Sequence, residues 1–227
     1  MGIHDGHRDR MKAEFLQGGL TSFSDPRALE LLLFYTRMQG DVNPTAHALL
    51  DTFGSLSGVM DADVSDLMAV PGVGQNTASL LKLIPAMASR YLSSRTREDV
   101  IVRSSADLRD LFFPCFFGAR NEMTYLACFD AKLKLLGVRK LREGGPNSTE
   151  IDPRQIAAAA LSYNASAVVL AHNHTSGVCT PSSADISSTR TLLQSLRGID
   201  IYLYDHIIMT DDDMVSMRDS GYLEASY

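Results

Sequence analysis

The sequence lacks the features of secreted, fibrous and membrane proteins. Its three cysteines, Cys115, Cys128 and Cys179, are odd in number and widely spaced, so they predict neither a disulfide framework nor a cysteine-rich zinc site. No apolar run approaches the roughly 18 residues that a membrane helix needs, and the N-terminus has no signal-peptide core. Sixteen glycines and eight prolines are too few for a fibrous chain. We therefore expect a cytoplasmic globular protein.

Positive charge is also scarce. The 227 residues include 21 lysines and arginines against 27 aspartates and glutamates, which gives a formal net charge of −6. Neutralisation of phosphates by basic side chains dominates the affinity of most proteins for nucleic acids. The charge balance therefore excludes a dedicated, strongly basic nucleic-acid binder, and any contact with DNA would have to be local.

The chain divides into a helical part and a mixed part. Residues 1–97 show helical spacing of apolar residues and no strand pattern. Pro85 is expected to kink or divide the last of these helices, residues 75–92. Residues 93–99 carry no apolar side chain and are interpreted as a linker. From residue 98 to residue 227 strand and helix patterns alternate, which predicts an α/β domain.

Two histidines follow a predicted buried strand. The strand covers residues 165–171, and His172 and His174 come directly after it, two positions apart. Residues at that separation on a strand lie on the same face. Both imidazoles can therefore reach one ion.

A predicted helix begins a few residues later. Thr180 is the expected N-cap, and Ser182 and Asp185 then share one face of the first turn. Together with the two histidines, Asp185 supplies a third ligand and leaves a fourth tetrahedral position for water. Such an open site is typical of catalytic zinc.

Each of these features also has a purely structural interpretation. A His-x-His sequence at a strand end is usually a pair of half-exposed histidines. The helix dipole favours an aspartate such as Asp185 in a first turn, and Ser182 could serve only as a hydrogen-bonding residue at the helix end. The joint spacing is what favours a metal centre.

That spacing resembles the JAMM (MPN-type) metalloprotease motif, in which His-x-His is followed by seven residues, Ser, two residues and Asp. The flanking residues 152–177, the stretch Asp205-His206-Ile-Ile and the opening GHRDR at residues 6–10 are similar to the bacterial RadC family. The resemblance covers essentially the whole chain. It implies a JAMM/MPN-type, cytidine-deaminase-like mixed sheet in residues 98–227, with Zn²⁺ as the cofactor.

The resemblance also implies a general base. In JAMM proteins a glutamate on an earlier strand has this role, and Glu122 is the matching residue here. Glu143 and Glu150 are close enough in sequence to compete with it. Glu122 could also be no more than a solvated residue at the start of a strand. Ser182 would donate a hydrogen bond to the oxyanion.

Three departures from the family pattern leave the ligands in place. Thr175 replaces a usual proline, Val178-Cys179 replaces Asp-Pro, and Gly145-Pro146 replaces Gly-Thr. A small buried thiol is the expected state of Cys179, rather than a soft ligand. The zinc deaminases, which need HxE followed by PCxxC, are excluded because neither sequence occurs.

The helical part contains Pro71-Gly-Val-Gly74, which resembles the turn of a helix-hairpin-helix motif. Backbone amides at such a turn, beside a helix start, can bind a phosphate. The residues expected to contact DNA are Gly72, Gly74 and Lys82. A structural hairpin, in which the glycines only allow close packing, is the alternative.

These patterns lead to two functional hypotheses. The first is a zinc-dependent hydrolase that cleaves a peptide or isopeptide bond in a protein or peptide substrate through a metal-activated water. The alternative is a DNA-associated accessory protein of repair or recombination. In that case the metal domain would be structural, and the helix-hairpin-helix would contact DNA weakly and without sequence specificity. Neither hypothesis involves a membrane partner.

Overall fold

The computed structural model describes residues 5–94, 100–144 and 152–223. Contacts divide the chain into two compact units, Met1–Ala88 and Ser89–Tyr227. The expected boundary between residues 97 and 98, and most of the expected linker, lie outside the described residues. None of the described helices has the length and apolar character needed to cross a membrane.

The described part of the first unit consists of helices. They are α1 (Asp5–Gly18), α2 (Asp25–Leu33), α3 (Asn43–Phe53), α4 (Leu56–Asp61), α5 (Val64–Ala69) and α6 (Gln75–Ser94), the last of which continues into the second unit. Helix α6 runs without a break through Pro85, so the proline does not divide it. The helices bury leucines that include Leu29, Leu49 and Leu67 in one core. Burial of this apolar face stabilises helices that would be too short to form alone.

The GHRDR segment of α1 forms hydrogen bonds with the turn that follows α2. Arg8 Nη1 donates to the carbonyls of Arg37 and Met38 at 2.8 and 2.9 Å, and its Nη2 donates to Gly40 at 2.6 Å. His7 Nε2 lies 3.0 Å from the buried carboxylate of Glu30. The Arg8 bonds satisfy three carbonyls of the turn that follows α2, so this part of the resemblance has a structural explanation.

The described part of the second unit is a five-stranded mixed sheet with helices on both faces. Its elements are α7 (Ser105–Phe116), β1 (Glu122–Phe129), β2 (Leu135–Gly144), α8 (Pro153–Ser162), β3 (Ala167–Asn173), α9 (Ser183–Arg197), β4 (Tyr202–Met209) and β5 (Met214–Ser216). The strand order is β2-β1-β3-β4-β5. Among the described strands only β3 and β4 are parallel, and the other neighbouring pairs are antiparallel. An all-helical unit followed by a mixed sheet is the fold class that the sequence predicts.

Strand β3 lies at the centre of the sheet, and all seven of its residues are buried. Val169 packs in the cluster that contains Phe112 of α7. Leu170 points to the opposite face, into the cluster formed by α8 and α9. Helices that cover both faces explain why β3 is a continuous apolar run instead of an alternating one. The first polar side chains of the strand, His172 and Asn173, come at its C-terminal end.

Helix α7 was not predicted from the sequence. It begins with a capping box in which Ser104 and Asp107 exchange side-chain and backbone hydrogen bonds. Leu108, Leu111 and Phe112 follow at helical spacing and are buried. The capping box was the available signal.

Candidate metal centre

The end of β3 and the first turn of α9 bring three polar side chains together. His172 is the sixth residue of β3, His174 follows the strand, and Asp185 lies in the first turn of the helix. Their potential ligand atoms all lie within 4.8 Å of one another. His172 is 4% exposed and Asp185 is 1% exposed, so the cluster is shielded from most of the solvent.

The separations within the cluster suit a small cation. The two Nε2 atoms of His172 and His174 are 2.9 Å apart. Asp185 Oδ1 lies 3.3 Å from His172 Nε2, and Asp185 Oδ2 lies 3.4 Å from His174 Nε2. Zinc bonds of about 2.0–2.2 Å in a tetrahedron imply ligand-to-ligand separations of about 3.3–3.5 Å. The two separations to Asp185 lie in this range and the two nitrogens lie closer together, so the two imidazoles and the carboxylate approximate three corners of such a site.

A capping box at the start of α9 orients Asp185. The backbone amide and the hydroxyl of Ser182 donate to Asp185 Oδ2 at 2.8 and 2.6 Å. The amide of Asp185 donates back to Ser182 Oγ at 3.1 Å. The N-cap is thus Ser182 and not Thr180, because only Ser182 stands three residues before a carboxylate that can reciprocate. The sequence predicts that the Ser182 hydroxyl donates to an oxyanion. In the structure this hydroxyl donates to Asp185 Oδ2.

The charges of the cluster are strongly coupled. Burial acts to raise the pKa of Asp185, but hydrogen bonds from His172, His174 and Ser182 outweigh it and hold that pKa well below its usual range. The hydrogen bond to Asp185 raises the pKa of His174. The site therefore favours positive charge at the point where the three side chains meet.

A second layer of buried groups stands behind the histidines. His172 Nδ1 lies 2.8 Å from His206 Nε2, and His206 Nδ1 lies 2.6 Å from Thr189 Oγ1. His206 and Thr189 are fully buried, and burial lowers the pKa of His206 well below its ordinary value. On the other side, His174 Nδ1 lies 2.8 Å from the carbonyl of Val178. Since this contact uses only the backbone, the unusual Val178 side chain leaves it intact.

His206 and Thr189 had no role in the sequence prediction. His206 was noted only as part of the Asp205-His206-Ile-Ile resemblance, and its contact with His172 joins two strands across 34 residues. The signal that could have found it is the pair of polar residues Asp205 and His206 inside the otherwise apolar strand β4. Buried polar residues of this kind need partners.

Glu122 occupies the position opposite His174. Thr124 pairs with His172 across the antiparallel strands β1 and β3, and continuing that register by two residues places Glu122 against His174 on the same face. The carboxylate contributes to the raised pKa of His174, as expected for a nearby negative charge. Among the described residues, Glu122 Oε2 is buried and has no hydrogen-bond partner.

The competing carboxylates are placed differently. Glu143 lies on β2, which β1 separates from β3, and its carboxylate pairs with Lys140. Its side chain is 51% exposed, and the hydrogen bond with Lys140 lowers its pKa. Glu150 lies outside the described residues, as do Gly145 and Pro146. Of the candidate glutamates with a described position, Glu122 is the one beside the histidines.

Cys179 does not join the three-residue cluster. It is buried in the loop between β3 and α9, and its Sγ lies 3.3 Å from Thr210 Oγ1. Burial raises the pKa of the thiol, which disfavours the thiolate that a metal would need. Its position agrees with the expected buried thiol.

The two glycines of the turn in the helical unit, Gly72 and Gly74, differ in backbone conformation and in the space around them. Gly72 has a φ of +88°, and a Cβ there would lie 2.5 Å from Thr45 Oγ1 and 3.0 Å from an Arg37 nitrogen. Gly74 has no such conformation, and a Cβ there would meet nothing within 4 Å. Gly72 is therefore required by the fold itself, whereas Gly74 leaves room for an approaching group.

The basic groups near this turn differ from those expected. Lys82 Nζ donates to the carbonyls of Met60 and Asp61, at 2.9 and 3.2 Å, where α4 ends. Lys82 thus has a capping contact in the structure. Arg37, which donates to Thr45 Oγ1 at 3.3 Å, lies beside Gly72 instead. The sequence analysis missed Arg37 because 35 residues separate it from the turn.

Comparison with known proteins gives the same division of the chain. Residues 102–222 match the family described as the RadC-like JAB domain, and residues 44–83 match a SAM-like helix-hairpin-helix tandem. A UPF0758 protein of Ruegeria pomeroyi is 34% identical over 217 residues, which cover 96% of this chain and 97% of that relative. The first match includes the histidine–aspartate cluster, and the second includes the glycine turn.

Proposed function

The chain belongs to the family of proteins with a RadC-like JAB domain, and from this we propose that it is a zinc-dependent hydrolase of peptide or isopeptide bonds. The observation that carries the proposal is the pairing of the His172–His174–Asp185 cluster with a buried, unpartnered oxygen of Glu122. Three ligands next to a free base are the components that metal-assisted hydrolysis requires.

The proposed ligands are the Nε2 atoms of His172 and His174 and the carboxylate of Asp185. Two nitrogens and one oxygen suit zinc among the common divalent ions. When bound, the ion would supply Lewis acidity, which lowers the pKa of a water to near 7 and polarises a carbonyl. Three protein ligands would leave the fourth tetrahedral position for a water.

Glu122 is proposed as the general base. As the oxygen of water adds to the scissile carbonyl carbon, its carboxylate takes the proton that the water loses. When the carbon–nitrogen bond breaks, the same group returns that proton to the leaving amine. The lack of a partner for Oε2 supports this role, since a carboxylate already committed to a salt bridge would be a weaker base.

Ser182 is proposed as the donor to the oxyanion. Its hydroxyl would exchange Asp185 Oδ2, its present acceptor at 2.6 Å, for the developing negative charge. Between catalytic events the same hydroxyl holds the Asp185 carboxylate in place. Ser182 would therefore orient the proposed ligand Asp185 and also stabilise the negative charge of the transition state.

Cleavage of quenched fluorescent peptides and of lysine-branched peptides by the zinc-loaded full-length protein tests this proposal. Glu122→Gln should keep the metal and lose turnover by a factor on the order of 10²–10⁴, the usual contribution of a general base. The matched control is Glu143→Gln, which removes a carboxylate from the neighbouring strand and should leave turnover unchanged. Full turnover in Glu122→Gln, or no cleavage of either substrate class, would overturn the proposal.

A second function, weak contact with DNA, is favoured by one observation in the other unit. The helix-hairpin-helix match covers the exposed Gly72–Gly74 turn, and the first backbone bond of α6 runs from Ala78 to Gly74. The amides of the exposed residues Gln75 and Asn76 therefore precede the helical ladder and can receive a phosphate. Arg37 beside Gly72 would supply the positive charge, with Lys82 in a supporting position.

A further inference from the structure

Arg142 lies in the same row of the sheet as His172. It is on β2, at one edge of the described sheet, where it pairs with Thr124 of β1, and Thr124 pairs in turn with His172 of β3. Residues that lie directly opposite one another on antiparallel strands point to the same face. The side chain of Arg142 therefore lies on the face that carries the proposed ligands, with Thr124 between the two.

The packing of neighbouring residues agrees with this assignment. Leu141 is the additional residue at an irregularity in the pairing of β1 with β2, and it packs against the cluster formed with α8 and α9. Leu170, two residues before His172 on β3, belongs to the same cluster. Leu141 and His172 are thus on one side of the sheet, and the pairing through Thr124 places Arg142 on that side as well.

The spacing of the strands gives the distance between Arg142 and His172. Directly opposite residues on antiparallel strands have Cα atoms about 4.5–5.5 Å apart. The two residues are two such steps apart, so their Cα atoms are separated by roughly 10 Å. An extended peptide advances about 3.3 Å per residue, so about three residues of a bound chain span this distance.

The charge of Arg142 faces solvent beside the site. Arg142 is exposed, and Thr124 and Glu122, which lie on β1 between it and the histidines, are half-buried. Glu143 follows Arg142 on β2 and so points to the opposite face, where its carboxylate binds Lys140. Positive charge beside a binding site attracts and orients an anionic group.

The position of Glu122 determines which part of a substrate reaches Arg142. Glu122 lies on β1, between β2 and the strand that carries the histidines. As the proposed base it returns a proton to the leaving amine. The part of the substrate that carries this amine must therefore lie on the β2 side of the cluster, toward Arg142.

We propose that Arg142 is a specificity-determining residue that binds a carboxylate of the substrate, about three residues beyond the scissile bond on the amine side. The inference rests on the proposed hydrolase function and adds a substrate class to it, namely acidic peptides. A planar guanidinium forms paired hydrogen bonds with a carboxylate. The carboxylate can belong to an acidic side chain or to the C-terminus of the substrate, because both present the same group.

The test measures binding separately from cleavage. The zinc-loaded Glu122→Gln protein is titrated with fluorescent peptides of neutral sequence that carry either one Asp or one Asn, and anisotropy gives the dissociation constant. The Asp peptide should bind about fivefold more tightly, and this preference should decrease as salt is added, because the proposed pair is exposed. Adding Arg142→Gln should abolish the preference, whereas Arg142→Lys should keep part of it.

The matched control is Lys140→Gln, which removes the same charge from the opposite face of β2 and should leave the preference unchanged. Neutral peptides with a free or an amidated C-terminus separate the two sources of the carboxylate. An Arg142-dependent preference for the free acid assigns the site to a C-terminus, and one for Asp alone assigns it to a side chain.

Cleavage by the wild type gives an independent readout. When the single Asp is moved along the peptide, the bond that is cut should move with it and stay about three residues before it. Equal affinity for the Asp and Asn peptides with Arg142 in place, or an equal loss of preference in Lys140→Gln, would overturn the inference. An Arg142-dependent preference without any cleavage would support the carboxylate site and overturn the proposed hydrolase function instead.

Discussion

The Nε2 atoms of His172 and His174 lie 2.9 Å apart, and each of them faces a different oxygen of the Asp185 carboxylate. Two imidazole nitrogens and two carboxylate oxygens thus lie close together in a largely buried part of the fold. Without a cation between them these atoms repel one another, so the local structure favours the binding of positive charge. In the metal-free protein a proton on His174 can fill that place, in line with the raised pKa of this residue.

Removal of metal should destabilise the sheet-containing unit. An ion that binds only the folded state at a free concentration 100 times its dissociation constant adds about 2.7 kcal/mol to the free energy of unfolding. For a unit of this size the melting temperature should fall by roughly 5–10 °C when a chelator is added. Scanning calorimetry with chelator, and then with zinc in excess, measures the shift. Superimposable transitions under the two conditions would show that no ion supports the fold.

Much of the candidate site could be predicted because it is local in the sequence. His172, His174 and Asp185 lie within 14 residues, and the periods of one strand and one helix are enough to place them on a common face. Glu122 needed the family resemblance as well, since its contact with β3 depends on strand pairing. The helix-hairpin-helix turn could be predicted for the same reason, because its residues are adjacent in the sequence.

The remaining features of the site could not be predicted, because they depend on how strands and helices pack in three dimensions. His206 meets His172 only because β3 and β4 are parallel neighbours, and sequence spacing does not determine which strands pair. Arg37 likewise reaches Gly72 through the packing of separate helices. Thr180 and Ser182 are both acceptable N-caps by residue type, and the reciprocal bond with Asp185 decides between them.

Asp205 should make the stability depend on pH. Burial raises the pKa of its carboxyl to about 6, although Ser216 and the amides of His206 and Arg218 donate hydrogen bonds to it. A raised pKa favours the protonated form in the folded state. The resulting stability is fully present below the unfolded pKa of about 3.9 and is lost as the pH rises through about 6.

Urea unfolding of the metal-free protein and of Asp205→Asn at about pH 4 and pH 7 measures this contribution. Two pKa units correspond to about 3 kcal/mol, and the stability of the wild type relative to the variant should fall by about 2 kcal/mol between the two pH values, because the unfolded carboxyl is already partly ionised at pH 4. The remaining titratable groups are the same in both proteins, so their contributions cancel in the difference. A difference that does not change with pH would mean that Asp205 is ionised throughout.

The two glycines of the helical turn should respond differently to substitution. Gly72→Ala imposes a left-handed conformation on alanine, at about 1–2 kcal/mol, and also pushes against Thr45. Gly74→Ala should leave the free energy of unfolding of the helical unit nearly unchanged, since its Cβ would meet nothing. Thermal unfolding followed by circular dichroism distinguishes the two variants. Equal losses would contradict the assigned roles.

Gly74 is therefore the position at which to test contact with DNA. Fluorescence anisotropy of the full-length protein with a labelled duplex should show weak binding whose log–log salt slope is about −2 to −4, because only a few phosphates are neutralised. A larger side chain at Gly74, and Arg37→Ala, should each weaken this binding while the helical content stays constant. Absence of binding by the wild type at low salt would leave the turn with a packing or protein-docking role.

Metal content is the most direct test of the central claim that His172, His174 and Asp185 form a metal site. Asp185 is also half of a capping box, so its replacement removes both a ligand and a cap. The matched control is Ser182→Ala, which removes the reciprocal cap, at a cost of about 1 kcal/mol, and keeps every proposed ligand. Elemental analysis after dialysis should find about one zinc per chain in the wild type and in Ser182→Ala, and little in Asp185→Ala. Stoichiometric zinc in a Asp185→Ala, His174→Ala double variant, or none in the wild type after reconstitution, would contradict the account.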